Sequence, residues 1–157
     1  MKKKKIVVGT LLTTILLAGC AINPAVAVYD NNEKIASESN TFNLDAVEQE
    51  IKDGQMTANV ERMEGMEIIW SYSSEEDREV DITYNLNVYS GKLKMVLITP
   101  YGEVNVIEEC DTEMAEPLQS ALNVQSGENR IKLVAGKDTK FDMEVSISEG
   151  EFLKIGF

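Results

Sequence analysis

The stretch that decides the fold is Val80-Asp81-Ile82-Thr83-Tyr84-Asn85-Leu86-Asn87-Val88-Tyr89, in which apolar and polar residues alternate without a break. Successive side chains of a β-strand point to opposite faces of the sheet, so this pattern predicts a strand with one buried and one solvated face. Tyr89 would face solvent. The residues that would face the core are Val80, Ile82, Tyr84, Leu86 and Val88. Ser90-Gly91 then gives the two-residue signal of a hairpin.

Outward from this strand the chain continues as short alternating segments separated by turn residues. Turns are predicted at Glu64-Gly65, at Pro100-Tyr101-Gly102, at Ser126-Gly127-Glu128 and at Gly136-Lys137-Asp138. The segments predicted as strands are 56–63, 66–73, 80–89, 92–99, 103–108, 118–124, 130–135 and 141–147, with a last edge strand in 151–157. This spacing predicts an all-β fold, an antiparallel two-sheet β-sandwich that is immunoglobulin-like or jelly-roll-like, with about eight strands.

Residues 41–54 fit two structures. Leu44, Val47 and Ile51 would share one face of a helix, whereas Phe42, Leu44 and Ala46 would alternate along a strand. A strand is favoured because everything after it is strand-like.

The N-terminus carries the pattern of an export signal. Four lysines precede an apolar run of about 12 residues, which suits a signal peptide and is short of the roughly 20 residues of a membrane span. Leu17-Ala18-Gly19-Cys20 follows at once and resembles the bacterial lipobox. The resemblance implies a diacylglyceryl group on the Cys20 thiol and cleavage between Gly19 and Cys20. An ordinary secretory signal with a chance cysteine, or an uncleaved anchor, is the alternative.

These signals divide the chain into three parts. Residues 1–19 would be the signal peptide, residues 20–40 a flexible lipidated tether and residues 41–157 the sandwich domain. The expected location is the cell membrane, with the domain facing away from the cytoplasm and the lipid on Cys20 as the contact with the bilayer.

Charge and composition exclude several classes of function. Without its signal the chain keeps 11 basic against 27 acidic residues, a net charge of −16. Such a surface repels phosphate backbones, so no nucleic-acid partner is expected. The chain has no histidine, which removes the commonest general base and metal ligand. Cys110 lies among acidic residues that disfavour its thiolate, and it is predicted to be a bystander or a small buried residue.

The acidic runs at 75–77 and 108–113 lack the spacing of a calcium loop and are predicted to be solvated. We therefore predict no enzyme activity, no cofactor and no metal site. The candidate ligand face is aromatic: Trp70 and Tyr72 lie two apart on one predicted strand, and Tyr89 and Tyr101 lie near neighbouring turns. For Trp70 the favoured alternative is a core tryptophan between the sheets.

The segment from Ser90 to Ile147 is similar to small, mostly uncharacterised lipoproteins of Gram-positive bacteria. The stretches that carry the similarity are 90–98 (SGKLKMVLI), 100–104 (PYGEV) and 127–134 (GENRIKLV). The similarity implies a β-sandwich and supplies no activity. The predicted function is thus a lipid-anchored binding module of the cell envelope, whose partner is a glycan, a peptide or another envelope protein. The alternatives are an accessory subunit of a membrane assembly and, less favoured, an unrecognised hydrolase.

Overall fold

A computed structural model describes residues 23–112 and 117–157 of the chain. The predicted signal peptide with Gly19, the lipidation site Cys20 and residues 113–116 lie outside these ranges. A 3₁₀ turn and a five-residue helix, α1, precede the sheet strands: Val26–Val28 and Asn32–Ala36, then β1 Thr41–Lys52, β2 Gln55–Ser74, β3 Arg78–Ser90, β4 Leu93–Ile98, β5 Val104–Cys110, β6 Leu118–Val124, β7 Gly127–Ile147 and β8 Glu151–Phe152. All the strand pairs are antiparallel, which confirms the predicted all-β class.

Two long bent strands, β2 and β7, each run through both layers of the sandwich. Residues 65–74 of β2 pair with 127–135 of β7, and together with β4, β5 and β8 they form what we call the first sheet. Residues 55–60 of β2 pair with 141–146 of β7, and with β3, β6 and residues 47–52 of β1 they form the second sheet. The hydrogen-bonded order across the second sheet is β1-β2-β7-β3-β6.

Two predicted turns are therefore wrong. Glu64-Gly65 and Gly136-Lys137-Asp138 are bends inside continuous strands, and the β2–β7 ladder resumes beyond each bend after a register shift. Gly65 has φ +104° and Asp138 has φ +50°. Positive φ occurs in β-bulges as well as in turns, so the residue types alone do not distinguish the two. A Cβ on Gly65 would lie 2.0 Å from the carbonyl oxygen of Thr41. Glycine at this bend lets β1 pair closely alongside β2, with Phe42 opposite Gly65.

The main core lies between the two sheets. Val80, Ile82, Tyr84, Leu86 and Val88 are all buried in it, as their alternation predicts. The largest buried side chain is Trp70, whose exposed fraction is 0%. Its indole N–H donates to the carbonyl oxygen of Glu149 at 2.9 Å, which satisfies the one polar group of this side chain. Residues 41–52 form β1, so the strand alternative for this region is confirmed.

A second, smaller cluster covers the outer face of the first sheet and corrects the expected flexible tether. Val28, Tyr29 and Ile35 are buried there against a set of residues from β2, β4 and β7: Met66, Val96, Ile98 and Val134. The weak periodicity of residues 21–40 hides these contacts, because their apolar positions follow the surface they cover instead of a regular helix or strand. We call residues 23–40 the docked segment.

The C-terminal tail forms much less strand than predicted, because only Glu151–Phe152 pair with β2. Ile155 is buried, and Gln49 on β1 binds both its N–H and its carbonyl oxygen, each at 2.8 Å. The N–H of Gly156 donates to the carboxylate of buried Glu67 at 2.9 Å. Phe157, at the end of the predicted edge strand, is 86% exposed.

Candidate functional site

One concave surface lined mainly by polar residues lies on the outer face of the second sheet. The register places Glu48, Asn59, Asp142 and Asn87 in one row across four strands. Glu50, Thr57, Glu144 and Asn85 form the next row. A shallow groove of about 480 Å³ follows these two rows. We call it the polar groove.

Hydrogen bonds between strands hold the middle of the polar groove in place. Asp142 accepts one bond from the side-chain amide of Asn59 and another, of 2.6 Å, from the hydroxyl group of Tyr89. Glu144 accepts from the side-chain amide of Gln55 at 2.6 Å. The hydrogen bond to Asp142 raises the pKa of Tyr89, so its hydroxyl group stays protonated as the donor. These carboxylates are therefore fixed before any ligand arrives.

Asn85, which also lines the polar groove, has a hydrogen-bond acceptor that no neighbouring group in the described structure uses. Its Oδ1 atom is buried and has no hydrogen-bond partner among the described residues. A buried amide oxygen without a partner costs about 1–3 kcal/mol, so a ligand that turns the Asn85 side chain outward and donates a hydrogen bond to it recovers this cost. Four carboxylates line the polar groove and no cation does: Glu48, Glu50, Asp142 and Glu144.

The structure separates the four aromatic residues that the sequence suggests as one ligand face. Trp70 is fully buried, so it is the core tryptophan and cannot form a platform. Tyr72 packs against it with ring centroids 5.9 Å apart and lies opposite Asn129 in the first sheet. Tyr101 is 79% exposed in the turn after β4. Only Tyr89, which is 48% exposed, adjoins the polar groove.

Sequence reasoning missed the amide and hydroxyl residues of the groove. Asn85 and Asn87 stand on the outward half of the deciding strand, where polar residues are the ordinary expectation. Asn59 and Asp142 come from strands far away in sequence. Their approach depends on the β2–β7 register, which a single strand pattern does not contain.

A second concavity of about 370 Å³ lies between β5 and β6, the edge strands of the two sheets. We call it the edge cleft. Its floor includes Leu97 and Leu122, and its rim includes Asn105 and Asn123. The Oε1 atom of Gln125, another lining residue, is buried and has no hydrogen-bond partner within 23–112 and 117–157.

Parts of the acidic runs bind within the fold, whereas the sequence predicts solvated surfaces. Glu108 accepts a 3.0 Å hydrogen bond from Tyr84, and burial together with that bond raises the pKa of Tyr84 to about 12. Asp77 accepts from the backbone N–H of Ser126 at 2.8 Å. Cys110 is half-buried and packs against the core. In the part of the chain that the structure describes, no cluster of acidic or cysteine side chains is arranged to hold a metal ion.

Within the same ranges, no helix has the length and apolar character needed to span a bilayer.

No family model matches the chain. No curated protein matches it either. Solved structures with a related shape include PirA, at 14% identity and a TM-score of 0.41, covering 62% of this chain and 96% of PirA.

A family 29 carbohydrate-binding module complexed with mannohexaose is 16% identical, with a TM-score of 0.38, and the match covers 70% of this chain and 80% of that one. A family 35 carbohydrate-binding module from an environmental isolate is 12% identical, with a TM-score of 0.39 and coverages of 76% and 90%. All three TM-scores lie below 0.5, so these likenesses add nothing to the description of the site.

Proposed function

We propose that this chain is a lipid-anchored binding module on the outer side of the cell membrane, and that its polar groove holds a hydroxyl-rich glycan. The observation that carries the proposal is the pair of polar rows across β1, β2, β7 and β3, with a buried, unused acceptor at Asn85.

The chemistry of the groove selects the class of ligand. Carboxylates and amide oxygens accept hydrogen bonds, and sugar hydroxyl groups donate them. Tyr89 at the end of the groove offers an exposed ring on which a sugar can stack while its hydroxyl group stays bonded to Asp142. Four carboxylates without a lining cation repel anionic polymers. The ligand is therefore a neutral or amine-bearing glycan.

Titration calorimetry with neutral hexasaccharides of glucose, mannose and N-acetylglucosamine tests this proposal. We expect binding of at least one of them, and a loss of about tenfold or more in affinity in Asn85→Ala, which removes the unused acceptor. Asn105→Ala is the matched control, because it makes the same truncation at the rim of the edge cleft. Loss of binding in both variants, or no binding by the unsubstituted protein, would contradict a glycan site in the groove.

The anchor has its own support in Leu17-Ala18-Gly19-Cys20 after a basic and apolar signal. Two acyl chains hold a protein firmly at a bilayer, so no further membrane segment is needed. Mass spectrometry of the protein from its own cells should find Cys20 as the first residue, bearing diacylglycerol. Cys20→Ser should release the domain from the membrane fraction.

An accessory subunit of a membrane assembly is the second candidate function, and the edge cleft favours it. In the described part of the sheet, β5 pairs only with β4 and β6 only with β3, so one side of each strand has free backbone groups. An added strand from a partner protein could use these groups. Photocrosslinkers at Asn105 and Asn87 in intact cells discriminate between the two functions. Protein adducts at Asn105 alone would favour the assembly.

Binding without catalysis is part of the proposal. Its support is that Asp142 and Glu144, in the middle of the groove, already accept hydrogen bonds from Tyr89 and Gln55, whereas a glycosidase needs one carboxyl group as a proton donor. Release of reducing ends from any hexasaccharide that binds would contradict it.

A further inference from the structure

The docked segment leaves very little chain between the proposed lipid and the folded domain. Asn23 already bonds to the fold, since its side-chain amide donates to Glu64 at 2.6 Å, and Ala25 is buried. Only three peptide steps separate Cys20 from Asn23, which corresponds to about 10 Å at full extension. A tether of 20 flexible residues would instead span roughly 25 Å root-mean-square.

Specific contacts fix the docked segment along its whole length. The hydroxyl group of Tyr29 donates to Glu109 at 2.9 Å, and the Nζ atom of Lys92 lies 3.8 Å from the centre of the Tyr29 ring. Lys132, which is fully buried, donates to the carbonyl oxygens of Ser37 and Ser39 at 2.6 and 2.9 Å. The segment is thus part of the rigid domain.

The docked segment and the polar groove lie on opposite sides of the sandwich. The segment covers the outer face of the first sheet, and the groove follows the outer face of the second. Two packed sheets are about 10 Å apart before their outer side chains are counted. A lipid attached three residues before Asn23 therefore pulls near the bend at Glu64, where the docked segment begins, and outside the lining of the groove.

The distribution of charge also favours an arrangement in which the docked segment is nearer to the bilayer than the polar groove. Several cations lie around the docked segment: Lys92 and Lys94 contact the Tyr29 ring, and Arg130 pairs with Glu38. The charged groups lining the groove are all carboxylates. Because bacterial membrane surfaces are usually anionic, the groove side is repelled from the bilayer more strongly than the docked side.

From this geometry we infer that the domain is held directly against the bilayer in one orientation, with the docked segment toward the lipid and the polar groove toward the exterior. The inference rests on the proposed lipidation of Cys20. It explains how a short attachment leaves the groove open to a large glycan.

Energy transfer to lipid headgroups in vesicles tests this orientation. The lipidated chain is prepared in a Cys110→Ser background and labelled at Lys34→Cys in the docked segment or at Glu50→Cys beside the groove. Both positions are exposed. Vesicles of phosphatidylcholine and phosphatidylglycerol carry an acceptor dye on the headgroups. We expect clearly higher transfer from position 34 than from position 50.

A matched variant carries a flexible Gly/Ser insertion of about 20 residues between Ile22 and Asn23. This insertion should make the energy-transfer efficiencies of positions 34 and 50 converge. Equal transfer from the two positions in the chain without the insertion would overturn the inference while leaving the anchor intact. Protein that fails to sediment with vesicles and carries no diacylglycerol would overturn the anchor itself. Mass spectrometry of each sample therefore separates the two failures.

Discussion

The hydroxyl group of Tyr89 on β3 donates a 2.6 Å hydrogen bond to Asp142 on β7, and the other oxygen of this carboxylate accepts from Asn59 on β2. Three neighbouring strands thus fix one side chain at the centre of an open surface. Organisation of this kind before binding lowers the entropy cost of capturing a ligand. Because it uses exposed groups, it adds little to the stability of the fold.

Substitutions at Tyr89 should therefore affect binding more than folding. Tyr89→Phe keeps the ring and removes the bond to Asp142, and we expect a few-fold loss of glycan affinity. Tyr89→Ala removes the stacking surface as well and should lose roughly tenfold. Both variants should unfold within about 0.5 kcal/mol of the unsubstituted protein in urea, since surface substitutions are usually that mild. Equal affinity in all three proteins would remove Tyr89 from the site.

The bend of β2 at Gly65 gives a test of the architecture. An alanine Cβ there would lie 2.0 Å from the Thr41 carbonyl oxygen, whereas at Gly102, which also has positive φ, nothing lies within 4 Å of it. Gly102→Ala should cost about 1–2 kcal/mol from backbone strain alone. Gly65→Ala should cost a further 1–3 kcal/mol or so, because β1 must move. Equal losses in urea unfolding would show that β1 does not lie close to β2 at Gly65.

The docked segment should contribute measurably to global stability. Tyr29→Ala removes a buried ring, and losses of about 3–5 kcal/mol are usual for such a truncation. Tyr29→Phe removes only the hydrogen bond to Glu109 and should cost about 1 kcal/mol. Urea unfolding gives both values. An alanine variant as stable as the phenylalanine variant would mean that residues 23–40 do not belong to the cooperative unit.

Because of Lys132, the free energy of unfolding should rise as the pH increases through the mildly alkaline range. Burial, with a smaller effect of nearby Arg130, lowers the pKa of Lys132 to about 8, well below the ordinary lysine value of about 10.4. Between these two values the unfolded chain binds more protons than the folded one, so raising the pH favours the folded state. Relative to Lys132→Met, the unsubstituted protein should gain roughly 1–2 kcal/mol between pH 7.5 and 9.5. A constant difference in unfolding free energy across that range would contradict a depressed pKa.

The sequence was sufficient for the fold class because binary alternation reports which face of a strand is buried. The inward set from Val80 to Val88 and the turn at Pro100-Tyr101-Gly102 are as predicted. The sequence predicts turns at Gly65 and Asp138, where the structure has bends, because a bulge and a turn use the same backbone conformations. Packing of the docked segment depends on a surface assembled from β2, β4 and β7, which no local pattern describes.

The site was harder to predict than the fold for a related reason. The alternation along β3 predicts that Tyr89 faces solvent, and the structure confirms this. Its partner Asp142 lies 53 residues further along the chain, and Asn59, which donates to the same carboxylate, comes from another strand, so the ladder register decides which groups meet. Trp70 was ambiguous, since a large aromatic residue serves equally well in a core and on a platform.

The central claim is that the polar groove binds a neutral or amine-bearing glycan, and NMR chemical-shift mapping tests it most directly. Labelled protein is titrated with the neutral hexasaccharide that calorimetry selects, or with the whole panel if none stands out. The account predicts that the shifted amides cluster at Asn59, Asn85, Asn87, Tyr89 and Asp142, and that the side-chain amide of Asn85 moves most. Shifts confined to the edge cleft around Asn105 and Gln125, or no shifts with any member of the panel, would contradict it.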